Sequence, residues 1–168
     1  MLDTSLIEIV YAPNGIFKKK AISVLNVDNK VRLIVDQMFE IMYQHGAVGI
    51  GANMVGILQR IAVVDLQENN EQHPYVLINP SINYASSETQ IFEEGSISYP
   101  GIKAKITRPK HIEIQYLDYY GRKQLLKASD WLSTVIQHEL DYLDGKVFLD
   151  YLSPLKRNIL LKKMQKAK

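Results

Sequence analysis

The stretch from Ser129 to Gly145, SDWLSTVIQHELDYLDG, constrains this chain most. Leu132, Val135, Ile136, Leu140 and Leu143 recur at helical spacing, Ser129 is a good amino-terminal cap and Gly145 a good stop, so the spacing predicts one buried helix over 129–145. Its difficulty is His138 and Glu139, two ionisable residues set beside that apolar stripe, where such groups are costly unless paired or used. A bare His-Glu pair is most often a satisfied core histidine beside a solvent-facing glutamate. Positions 138 and 142 lie one turn apart on one face, so a histidine at 142 would make QHELD a metal-binding helix; the residue there is Tyr142.

The rest of the chain reads as one α+β domain spanning 1–168. Val31, Ile34, Val35, Met38, Ile41 and Met42 give a first helix between Asp28 and Gly46. RIAVVDL (60–66), YVLIN (75–79) and HIEIQYLD (111–118) read as strands, the last entering a hairpin through DYYG into RKQLLKA. Ser153-Pro154 opens a third helix, with Leu155, Ile159 and Leu160 expected on its docking face and Lys156, Arg157, Lys162, Lys163, Lys166 and Lys168 around it. At 168 residues the chain can bury about 70% of its unfolded surface, and 46% hydrophobic with 23% charged residues is globular composition. With no cysteine there is no disulfide and no thiolate ligand or nucleophile. No apolar stretch reaches bilayer length and the amino terminus lacks a basic leader, so no membrane partner is expected. A net charge of +2 argues neither for nor against nucleic acid as a bulk partner, and no DNA partner is expected.

Three stretches, AVGIGANMVGILQRIAVVD (47–65), EEGSISYPG (93–101) and QHELDYLDG (137–145), resemble in order and spacing the three motifs of the peptide deformylases: G-x-G-x-A-A-x-Q, E-G-C-x-S and Q-H-E-x-D-H. The resemblance takes in the preceding helix and the LINP strand, and so covers most of the chain. It implies a peptide-deformylase-like domain with antiparallel sheets packed around the central motif helix and a C-terminal helix. It also implies hydrolytic removal of the formyl group from N-formylmethionyl peptides in a bacterial cytoplasm. In that family one cysteine and two histidines hold a divalent metal (Fe2+, Ni2+ or Zn2+) that activates a water. The glutamate of the third motif moves the proton, while the glutamine and a backbone N–H stabilise the oxyanion.

Residue by residue the match departs at the chemistry. Ser96 stands at the cysteine, Tyr142 at the second histidine and Met54 at the glutamine, while His138 and Glu139 are kept; Ile97 supplies the backbone N–H. Serine is neutral and hard, a tyrosine phenol titrates near 10, and methionine has no donor, so no metal cofactor is expected and oxyanion support is weakened. His45, His73 and His111 lie off the motifs and read as surface or loop histidines. A Ser96–His138 nucleophile and base pair lacks an orienting acid, because Glu139 does not face its helix neighbour. Val48, Gly49, Ile50, Gly95 and Ile97 are expected to keep the peptide-binding lining. The resulting expectation is a deformylase-like protein with metal-dependent hydrolysis lost or greatly reduced that binds peptide N-termini or a nascent chain, with ribosome contact through the basic helix. Two alternatives stand beside it: an active, atypical deformylase or related amide hydrolase using Glu139 and His138, and a structural protein using only the fold's surface.

Overall fold

The computed structural model describes residues 6–167. Three helices, α1 (Asn29–Gln44), α2 (Asp130–Leu143) and α3 (Pro154–Lys166), accompany seven strands: β1 (Gly49–Gly51), β2 (Ile61–Val64), β3 (Tyr75–Ala85), β4 (Thr89–Ser96), β5 (Tyr99–Pro109), β6 (His111–Leu117) and β7 (Lys123–Ser129). The strands form a five-stranded antiparallel sheet ordered β1-β2-β3-β6-β7 and a separate β4-β5 hairpin. Helix α2 packs against both, which is the α+β arrangement expected from the sequence.

The caps follow the sequence closely. Asp28 accepts from the Val31 N–H at 3.0 Å, and Ser153 accepts from the Lys156 N–H at 3.3 Å with Pro154 opening α3. Gly145 ends the α2 turn at φ +76°, and a Cβ there would come within 2.9 Å of the Lys18 carbonyl, so only glycine fits. Ser129 stands at the α2 N-cap without a capping side-chain bond; its hydroxyl pairs with His111 Nδ1 instead, at 2.7 Å.

The IAVV of β2 is apolar throughout because the sheet is covered on both faces. Ile61 and Val63 enter one core with α1, Tyr142 and Phe148, while Ala62 and Val64 enter a second with Val135, Ile136, Leu140 and Leu143. Helix α2 therefore contributes to both cores.

Helix α3 docks by a face that shares only Leu160 with the expected one. Leu160, Leu161 and Met164 pack inward, whereas Leu155 and Ile159 are 70% and 58% exposed. The i, i+4 pair Leu160 and Met164 with Leu161 makes the continuous stripe, which leaves Leu155 and Ile159 on the lysine side.

Candidate functional site

The second motif stretch lies in the tight turn of the β4-β5 hairpin. Ser96 pairs with Tyr99 across Ile97-Ser98, and the register shifts just before it, between Gly95 and Ser96. That irregularity turns the segment toward α2. Opposite it, β1 is the outer strand of its sheet, with one edge unpaired. Between them runs a groove of about 950 Å3, lined among others by Val48, Gly49, Met54, Ser96, His138 and Glu139.

Of the residues expected to line a peptide groove, Val48, Gly49, Gly95 and Ile97 do so. Ile50 does not: side chains alternate along β1, and Ile50 points into the first core, fully buried. His45 lies on the groove rim rather than elsewhere on the surface, and its Nδ1 lies 2.9 Å from the Ile41 carbonyl.

Ser96 Oγ and the Tyr142 hydroxyl are hydrogen-bonded to each other at 2.6 Å, and Ser96 Oγ also accepts from the Ser98 N–H at 3.2 Å. The Tyr142 ring is fully buried, with its edge against Phe17 at 5.5 Å between centroids. Burial pushes the Tyr142 phenol well above its ordinary value.

His138 faces a different partner. Its Nδ1 lies 2.8 Å from Glu94 Oε1, and Glu94 is held in turn by both ends of a fork from Arg108, at 2.7 and 2.9 Å. Arg108 also donates to Asp141 at 2.8 Å, and Asp141 accepts from the Tyr151 hydroxyl at 2.7 Å. Burial alone would raise the Glu94 carboxyl, but the hydrogen bonds from His138 and Arg108 outweigh it and hold Glu94 below the usual range. Glu94 is therefore the acid that orients the imidazole. Sequence reasoning missed it along with Arg108. Had 99–109 been recognised as a strand, alternation with Ile102 and Ile106 would have turned Arg108 inward.

Glu139 is 3% exposed and its Oε2 has no hydrogen-bond partner, so it is not the solvent-facing residue of an ordinary surface helix. Burial pushes its carboxyl up to about 7; His138 and the Gly51 N–H oppose that rise, and the Glu94 charge adds to it. Its room comes from Gly49, where a Cβ would stand 3.0 Å from Glu139 Cγ and Oε1. Met54 Sδ lies 3.4 Å from the Gly51 N and accepts from it, so it offers the groove no donor. Asn53, also missed, ties the glycine-rich turn to α2 by donating to the Tyr142 carbonyl at 2.6 Å.

A family model for polypeptide deformylase matches residues 6–158. A peptide deformylase-like protein of Rickettsia conorii is 60% identical, the match covering 98% of this chain and 90% of that protein. The same organism's peptide deformylase 1 is 41% identical, over 98% and 97%. The crystal structure of the Ehrlichia chaffeensis peptide deformylase in complex with actinonin superposes with a TM-score of 0.93 at 39% identity, covering 98% of this chain and 99% of that one. The chain belongs to the polypeptide deformylase family.

Proposed function

We propose that this deformylase-family chain keeps the groove for peptide N-termini and has lost, or greatly reduced, the metal-dependent hydrolysis. The observation that carries this reading is the 2.6 Å bond between Ser96 and Tyr142. The two side chains at the cysteine and second-histidine positions satisfy each other, and one of them is a buried phenol that resists losing its proton. A neutral serine, a protonated tyrosine and one imidazole do not fit a divalent metal that prefers thiolate and imidazole. Among the described residues, no three His, Cys, Asp or Glu side chains group to replace them. Met54 removes an oxyanion donor independently, a loss typically of a hundredfold or more in turnover.

The groove supports the binding half of the reading. The free edge of β1 offers an extended peptide a strand to pair with, beside the apolar side chains of Val48, Ile97 and Val135. Partners of this kind are a peptide N-terminus or a nascent chain in the cytoplasm. Exposed Lys156, Lys162, Lys163 and Lys166 on α3 suit a phosphate-rich surface such as ribosomal RNA, and that contact would weaken steeply with salt.

A second reading rests on Glu139. A buried carboxyl poised at about 7 beside an oriented imidazole is what a proton-transferring residue needs in an atypical amide hydrolase. One experiment separates the two. Metal content is measured on tag-free, anaerobically purified protein, and formyl-methionyl peptide turnover is followed beside the Glu139→Ala variant. The expected result is no stoichiometric metal and no Glu139-dependent turnover; metal near one per chain with turnover abolished by the substitution would establish the second reading.

A further inference from the structure

We infer that the groove selects peptides with a free, protonated α-amino group over N-formylated ones. The inference rests on the peptide-binding reading above and names its ligand. It follows from counting donors and acceptors on the groove floor. Glu139 lines the floor and its Oε2 has no donor. His138 lines it too; its Nδ1 is taken up by the Glu94 carboxylate, and its Nε2 lies 4.0 Å from Glu139 Oε1. Met54 Sδ is an acceptor already facing the Gly51 N–H. Ser96 Oγ receives the Ser98 N–H and shares one proton with Tyr142, so the hydroxyl pair has a single proton left to offer.

The side chains of the floor therefore offer an unpaired acceptor, Glu139 Oε2, and few donors. A formyl group brings a carbonyl oxygen that needs donors; the side-chain donor is replaced by Met54, which leaves the Ile97 backbone N–H as the one remaining of the two family donors. An α-ammonium brings three N–H donors and a positive charge, and it meets a buried carboxyl oxygen, Glu139 Oε2, that has no donor. Leaving a buried acceptor unpaired is unfavourable, and pairing it with a charged donor is the stronger form of hydrogen bond. The apolar side chains of Val48, Ile97 and Val135 beside this floor suit an unbranched apolar first residue such as methionine.

The test is calorimetric binding of one methionyl tripeptide amide in three forms, with free, formylated and acetylated N-termini, to the full chain. Formate release is followed in the same samples. The free form is expected to bind about tenfold or more tighter than either blocked form. Glu139→Gln is expected to remove that preference by weakening the free form. Equal or tighter binding of the formylated form, or its hydrolysis, overturns the inference and leaves the groove as a peptide site. Failure of all three forms to bind overturns the peptide-binding reading and this inference together. Because the comparison among peptides is made on the unmodified chain, it stands even if the variant folds poorly.

Discussion

The two ends of one groove floor solve the problem of buried polar atoms in opposite ways. At the Ser96 end two hydroxyls bond to each other and the phenol continues as an aromatic ring into the core. At the Glu139 end a carboxylate is equally buried, yet one oxygen has no partner, and Gly49 leaves the space it occupies. The first end behaves as a packed interior; the second keeps an unpaired acceptor of the sort functional sites retain. On the proposed reading, substitution at the Ser96 end removes the metal ligands and leaves the acid in place.

The largest effect is expected from abolishing the difference. Ser96→Cys combined with Tyr142→His places a thiolate and a second imidazole beside His138. Zinc content of the double variant should rise to near one per chain, with binding on the scale of about 10 kcal/mol or more typical of such donor sets. No gain would mean that the backbone at the Ser96 end no longer fits a metal. Next is Tyr142→Ala, which deletes a fully buried ring and should cost about 3–5 kcal/mol in urea unfolding.

The Glu139 end is probed by pH. Its folded pKa of about 7 lies above the ordinary carboxylate value, so the folded state holds a proton that the unfolded state has released. Stability is then greatest below about pH 4.5 on this group's account, and falls as pH rises through about 7. Glu139→Gln should remove that fall, stabilising the protein by roughly 3 kcal/mol at pH 8 and by little at pH 4. An unchanged pH profile would show the carboxyl to be solvated. Smallest is Tyr142→Phe, which keeps the ring and leaves Ser96 Oγ to water in the groove; about 1 kcal/mol of destabilisation is expected.

Much of the scaffold was legible because it rests on periodicity and caps. Asp28, Ser153-Pro154 and Gly145 are local signals, and the stripes of α1 and α2 repeat them along the chain. The three motif stretches located the groove and the identity of its altered positions. Other features depend on pairings that no short window contains. Glu94 and Arg108 are fourteen residues apart, and each looks like a surface charge until the hairpin brings them together. The α3 docking face was misread because Leu155 and Ile159 are as apolar as Leu160 and Met164; only the neighbouring elements decide which pair is covered. Ile50 was assigned to the groove as one of a run of residues, although strand alternation turns it to the core between two glycines.

The Arg108 guanidinium has a consequence for how the molecule can move. One planar group joins β4 through Glu94, α2 through Asp141 and the segment leading into α3 through Tyr151, whose hydroxyl lies 3.2 Å away. Breaking a buried pair of this kind costs about 3–5 kcal/mol, so these three elements are held to one another through a single side chain. The segment leading into α3 is thus joined to the His138 imidazole by consecutive hydrogen bonds through Tyr151, Arg108 and Glu94.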